Sequence, residues 1–225
     1  MKKIFVPYLL IMMMSTAVLG GGSVLAADSE SGDTPITAKL TNNTGGPITP
    51  PTVTPDPDNK PEIVPPIENN PDKFGIAYYP GALLVEAELQ DNGKQDLLLQ
   101  PKVHVGVKDK TRERNQWNLN ASLEWSGANA GDMTGATITG TNGQVQENDG
   151  NGALSPVKND PVTTTANQLS IGNVQTEIMS TDGTKIKNGI YDYSVEDLSL
   201  SIPEVSIVSA GEYSGNINWD LVSAP

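Results

Sequence analysis

The sequence predicts an all-β chain: an antiparallel β-sandwich or barrel-like domain with long loops, preceded by a Pro-rich leader. Three observations carry this. Trp117, Leu119, Ala121, Leu123 and Trp125 alternate with other residues, the period-2 pattern of a strand with one buried face. Turn signals recur between short apolar runs, at Asp91-Asn92-Gly93, Asn142-Gly143, Asp149-Gly150, Asp182-Gly183 and Asn188-Gly189. No long stretch has a helical period; Glu196-Asp197-Leu198-Ser199-Leu200 offers at most one turn. Roughly eight to eleven short strands separated by turns make a sandwich or a barrel.

The elements follow in order. Residues 1–26 read as a secretory signal peptide. Met1-Lys2-Lys3 is a basic start, Ile4 to Met14 is almost all apolar, and the run leaves through small residues to Val24-Leu25-Ala26. Cleavage is placed after Ala26, with Ala27 the second choice. A retained membrane helix is opposed by Pro7, by Gly20-Gly21-Gly22 and by the lack of a basic stop-transfer cluster. No later stretch is apolar for long enough to span a bilayer.

Residues 27–73 form the Pro-rich leader. Ten prolines between Pro35 and Pro71 remove backbone donors and fix φ, which favours an extended spacer. Ile36 to Thr41 alternates as one short strand would. Ile63-Val64 and Ile67 are the apolar points of the later part.

Residues 74–225 are the β domain. Strand candidates are Leu83 to Leu89, Val103 to Val107, Trp117 to Trp125, Ala136 to Thr141, Gln168 to Ile171, Gln175 to Met179, Ile186 to Val195, Ile202 to Val208, and Ile217 to Leu221. Asn129 to Gly135 and Asp149 to Pro161 read as long surface loops.

Composition removes several function classes. The chain has 225 residues, 14 Lys+Arg, 27 Asp+Glu, one His and no Cys, for a formal charge of −13. Loss of Lys2 and Lys3 with the signal leaves 12 basic against 27 acidic residues, a net of −15. So acidic a chain is a poor fit to nucleic acid, where Lys and Arg on phosphates supply affinity. Without cysteine there is no disulfide scaffold, thiol catalysis or cysteine-bound zinc. A single His104 excludes any site that needs two imidazoles. No cofactor or metal is implied.

The enzyme reading is weak. Glu86 and Glu88 share a strand face, and Glu196 and Asp197 are adjacent, but acidic pairs arise by chance in such a chain. His104 lies between Val103 and Val105 and reads as solvent-facing. No nucleophile elbow is present. Glu147-Asn148-Asp149-Gly150-Asn151-Gly152 has oxygen ligands and turn glycines but lacks the spaced terminal Glu of a calcium loop, and reads as a solvated turn. The chain is expected not to be an enzyme.

Two of the three tryptophans sit in one context. Trp117-Asn118-Leu119 follows Val105-Gly106-Val107-Lys108-Asp109. Trp219-Asp220-Leu221 follows Tyr213, Gly215 and Ile217 and precedes Ala224-Pro225. This pattern, over roughly Phe74 to Pro225, resembles the WxL-domain surface proteins of low-GC Gram-positive bacteria. Phe74 to Pro80 departs from it, lacking an acidic strand at the domain's start. The resemblance implies a secreted, stand-alone protein of the cell surface, held non-covalently on the cell wall with peptidoglycan as ligand. It implies partner surface proteins too, among them a membrane-anchored class that binds the wall. The absence of an apolar tail or basic end near Pro225 agrees with non-covalent attachment. The alternative is an interaction subunit, held at the wall by a partner protein.

On this reading Trp117, Asn118, Leu119, Tyr213, Trp219, Asp220 and Leu221 are the ligand-binding candidates. Aromatic rings offer flat contact area to sugar faces, and Asn and Asp can bond hydroxyls and amides. Equally, Trp and Leu two apart on a strand point to one face, which in a sandwich is usually core. Trp125 shares Trp117's face and reads as packing. The negative charge opposes a wall rich in teichoic acid phosphates, over a range that salt limits to about 8 Å.

Overall fold

A computed structural model describes residues 37–43, 45–53, 65–159 and 161–224, without the side chain of Ala224. The chain divides into two units, Met1–Lys39 and Leu40–Pro225. The predicted signal peptide, Ile36 and Ile63-Val64 lie outside the described residues. Thr37 to Thr41 form no strand.

Among its described residues, Leu40–Pro225 has ten strands: β1 Ile67–Glu68, β2 Phe74–Tyr79, β3 Gln95–Asp109, β4 Gln116–Ser126, β5 Thr137–Asn148, β6 Leu154–Pro156, β7 Leu169–Ile171, β8 Thr176–Thr181, β9 Gly189–Ile202 and β10 Ser214–Ala224. The larger sheet runs β1-β2-β3-β9-β5-β6, with β7 also on β5; the smaller runs β10-β4-β8. All strand pairs are antiparallel. The architecture is the predicted β-sandwich, not a closed barrel.

Alternation explains the core. On β3, Val103, Val105 and Val107 face inward; on β9, Tyr191, Tyr193 and Val195 do so directly opposite them. They meet Trp117, Leu119, Ala121 and Leu123 of β4 in one apolar cluster between the sheets. Pro101 interrupts β3 without breaking it. Neighbouring β2 reaches only to Gly106, so among the described residues no strand pairs with β3 on that side at Pro101, and the ladder to β9 shifts register between Leu98 and Gln100.

Several expectations change. Leu83 to Leu89 is not a strand, and Leu84, Val85 and Leu89 are exposed. The Gln95 side-chain amide takes the place of a ladder there, donating to Glu88 O (2.9 Å) and accepting from Gln90 N (3.1 Å). Asn142-Gly143 is not a turn. β5 passes through it with register shifts, and Asn142 adopts a φ of 55°. Glu196 to Leu200 is not helical but part of β9, bulged at Asp197 with a φ of 52°. Ile202 to Val208 splits into the end of β9 and a 3-10 turn, Val205–Ile207. The two expected loops carry the 3-10 turn Ala130–Met133 and strand β6.

The leader contributes more than a spacer, and the packed unit starts well before Phe74. Ile48, Pro50 and Pro51 are buried, and Ile48 joins Ala77, Tyr78 and Ile190 in a second apolar cluster. Polar bonds fasten it: Thr49 N donates to Gly150 O (3.0 Å), Ile48 N to Asn70 Oδ1 (2.6 Å), and Asn148 Nδ2 to Thr49 O (3.0 Å). The leader thus lies against the outer face of the larger sheet. Gly106 makes room there; a Cβ at this position would stand 2.4 Å from Cζ of Tyr78.

Candidate functional site

The two Trp-x-Leu strands are neighbours. β4 and β10 pair over eleven positions, Gln116↔Ala224 to Ser126↔Ser214. The register sets Leu119 opposite Leu221. Each indole on the inward face lies opposite a small residue: Trp117 opposite Ser223, Trp219 opposite Ala121, and Trp125 opposite Gly215. That size matching lets wide rings sit side by side on a narrow sheet. At Gly215 it is strict, since a Cβ would approach Cε3 of Trp125 to 2.9 Å.

Trp117 is 1% exposed and stands near Phe74 and Tyr191, with ring centroids 6.4 Å and 6.2 Å away. Its Nε1–H donates to Asp109 Oδ2 (3.0 Å). Asp109 is itself fully buried, and its Oδ1 accepts from Thr111 Oγ1 (2.6 Å) and Thr111 N (3.2 Å). Buried Lys187 donates to the Asn115 carbonyl; burial lowers its ammonium pKa, and the charge of Asp109 opposes that. The first motif is a core anchor with a satisfied indole. The second is the edge version of it. Trp219 and Leu221 are half-buried, pack against the same core, and lie on a strand that among the described residues pairs only with β4.

The predicted site residues therefore separate. Trp117, Leu119, Trp219 and Leu221 point inward. Asn118 and Asp220, being odd in the alternation, point outward. Tyr213 precedes β10; its hydroxyl lies 2.7 Å from Ser209 O and 3.0 Å from Asp132 Oδ2. Bonds from Ser209 and from this phenol hold the Asp132 carboxyl below its ordinary pKa; desolvation and Asp132 raise that of Tyr213. An open groove of about 470 Å³ beside Tyr213 is lined by Ser126, Asn129, Glu212 and Ser214.

The outward face of the small sheet is accessible and polar. Asn118 pairs with Val222 and Ser180, Asn120 with Asp220 and Glu177, Ser122 with Asn218, and Glu124 with Asn216. Its side chains bond mostly to one another: Gln175 Nε2 donates to Asp220 Oδ2 (3.0 Å) and Ser180 Oγ to Glu177 Oε1 (2.8 Å). β4, β8 and β10 carry Glu124, Glu177 and Asp220 and no Lys, Arg or His. Asn120, Asn218 and Glu124 were missed as site candidates, although the same alternation that points Trp117 inward points them outward.

The family described as WxL domain surface cell wall-binding matches residues 27–225. The chain belongs to this family. It is accordingly a cell-wall-binding domain of the cell surface, attached non-covalently. No curated protein and no solved structure matches the chain. Among the described residues no helix is long and apolar enough to cross a membrane.

Elsewhere in the WxL domain the rival sites take other roles. Glu86 and Glu88 lie in an irregular exposed segment, not on a strand face. Glu196 bridges Lys102 (3.3 Å) and accepts from Asn142 Nδ2 (2.8 Å); Asn142 first, then Lys102, lowers its pKa. In the Asn148–Gly152 turn, Asn148 Oδ1 accepts from Gly150 N and Gly152 N, and Asp149 Oδ1 from Asn151 N and Ala153 N, so backbone donors occupy these oxygens. His104 is not solvent-facing. It is 5% exposed, and its Nδ1 lies 2.9 Å from Oδ1 of Asp192, a fully buried carboxylate. The leader covers this face, a non-local effect that alternation on β3 alone does not reveal.

Proposed function

We propose that the WxL domain holds peptidoglycan through the outward face of its Trp-x-Leu sheet, and that the inward tryptophans keep that face flat. The observation that carries this is the row of exposed and half-exposed amides, hydroxyls and carboxylates on paired β4 and β10, centred on Asn118, Asn120, Asn218 and Asp220. Glycan strands present hydroxyls and N-acetyl groups at repeating intervals, which such side chains bond as both donors and acceptors. β4, β8 and β10 bring no cation to the face, so hydrogen bonding and not charge attraction supports the contact. On this reading the protein is exported from a Gram-positive cell by its first 26 residues and acts as a binding module, not as an enzyme.

The test is co-sedimentation of residues 27–225 with peptidoglycan stripped of teichoic acid and protein. Saturable pelleting is expected. A folded protein that stays in the supernatant sinks the reading. One observation favours a second role, the interaction subunit: β10 pairs only with β4 among the described residues, leaving a long strand edge able to accept a partner's strand. Capture of a surface protein from a wall-free extract supports that role, and loss of capture on placing Pro at Asn218 assigns it to the edge.

A further inference from the structure

We infer that one end of the sandwich, at the β3–β4 and β8–β9 loops, is a docking surface for a polyol-phosphate polymer of the wall, the teichoic acid class. It lies apart from the sheet face proposed above and takes a different ligand.

Charge is distributed unevenly along this chain. Residues 108–114 and 182–187 hold six basic residues (Lys108, Lys110, Arg112, Arg114, Lys185, Lys187) and three acidic ones (Asp109, Glu113, Asp182), a net of +3. The rest of residues 27–225 holds 6 basic and 24 acidic residues. The fold brings the two segments together. β3 ends at Asp109 opposite Gly189, where β9 starts, and Trp117 of β4 pairs with Thr181, where β8 ends. Both loops therefore cross between the sheets at the same end. Backbone bonds join them: Arg112 N donates to Lys187 O and Lys187 N to Glu113 O, each at 3.1 Å. Lys73 is tied in through its carbonyl, which accepts from Lys110 N (2.9 Å).

These cations lack anionic partners. The ion pairs among the described residues, Lys94–Asp96, Lys102–Glu196 and His104–Asp192, lie elsewhere. Arg112 and Arg114 are exposed, and their guanidinium groups make no hydrogen bond among the described residues. Lys185 donates to the Asn159 carbonyl, and buried Lys108 and Lys187 donate to those of Pro71 and Asn115. Burial and then the charge of Lys110 lower the Lys108 pKa, with Asp72 opposing, so like charges crowd here. The nearby acids are largely engaged: Asp109 accepts from Trp117 and Thr111, and Asp182 from Thr184.

Such a surface selects for a chain of phosphates. A guanidinium fork matches phosphate oxygens two at a time. One small anion would use one or two of these groups, whereas repeated phosphates reach cations on both loops. Residues 110–115 and 182–188 contain no aromatic side chain, so nucleic acid bases would find no stacking platform. Ile186 is the one large apolar side chain of these loops that is exposed, which is little to insert into a lipid surface. A domain of the cell wall meets the remaining kind of polyanion, a phosphate-linked polyol. Salt limits the opposing field of the acidic remainder to about 8 Å.

The probe is soluble poly(glycerol phosphate), titrated into residues 27–225 by calorimetry. Saturable binding is expected, weakening at least about tenfold between roughly 50 and 200 mM salt as counterion release requires. Arg112→Gln with Arg114→Gln should weaken it at least about tenfold, and so should Lys110→Gln with Lys185→Gln. Two pairs are used so that misfolding of one leaves the other decisive. Lys94→Gln with Lys102→Gln removes equal charge elsewhere and should change affinity by less than about twofold. Folded protein that leaves the polymer unbound at low salt, or an equal loss in the control pair, overturns the assignment. Tighter binding to phosphatidylglycerol vesicles, or to an oligothymidine of equal charge, overturns the choice of polymer. Pelleting with teichoic-acid-free peptidoglycan, read on the same variants, should stay unchanged, because that contact uses another surface. Polymer binding without such pelleting removes the glycan reading alone; pelleting without polymer binding removes this one alone.

Discussion

Trp117-Asn118-Leu119 and Trp219-Asp220-Leu221 are the same three-residue pattern on adjacent strands, yet they occupy different environments. The first lies on the central strand of the small sheet, its indole 1% exposed and bonded to Asp109. The second lies on the edge strand, half-buried. The comparison teaches that the pattern encodes a sheet and not a binding pair of rings. Position in the sheet decides how much of each tryptophan is core, and the residue between Trp and Leu is the one offered to the outside.

The comparison is broken most severely at the central strand. Trp117→Ala should cost about 3–5 kcal/mol, as expected for emptying a buried Trp site. Urea unfolding checks it; a loss comparable to that of Trp219→Ala would deny the difference between the motifs. Asp109→Ala leaves the Trp117 indole N–H without its acceptor and should cost about 1–3 kcal/mol by the same assay. Trp219→Ala should cost about half the Trp117 value, because part of its ring already faces water, and the variant should keep its circular dichroism spectrum.

Smaller still is the effect of pH. Asp132, Asp149, Asp182 and Glu204 have lowered pKa values, through bonds from Ser209, Asn151, Thr184 and Ser206 in turn. A depressed folded-state pKa gives stability that is present above the unfolded value, about 4, and is lost as pH falls through the folded one. Burial raises Tyr78, Tyr191 and Tyr193, so their contribution is present below about pH 10 and is lost above it. The melting temperature should fall as pH drops below about 4 and as it rises above about 10; thermal melts across both ranges test it.

Much of this fold was legible because β4 shows its alternation so plainly. Its five inward residues from Trp117 to Trp125 belong to the core in the predicted phase. Where the sequence misled, a non-local partner was decisive. Leu83 to Leu89 alternates too, but the Gln95 amide takes the backbone groups of Glu88 and Gln90. Asn142-Gly143 has turn chemistry, but β9 pairs on both sides of it and makes it a bulge. His104 lies on the sheet's outer face, as its position predicts, and is buried there by a Pro-rich segment some fifty residues earlier in the chain. The candidate site was half legible. Asn118 and Asp220 are on the accessible face, while the flanking tryptophans and leucines hold it from behind.

The central claim is that the wall contacts the outward face and not the indoles. Asn118→Ala combined with Asn218→Ala tests it most directly, since both side chains lie outward and their loss should change stability by no more than about 0.5 kcal/mol each. Peptidoglycan co-sedimentation of this variant is the measurement, with its melting temperature taken on the same sample. The account predicts retention at least about tenfold weaker, equivalent to roughly 1.4 kcal/mol, at an unchanged melting temperature. Full retention by the folded double variant, with loss in a folded Trp219→Ala, would contradict it and return the contact to the ring.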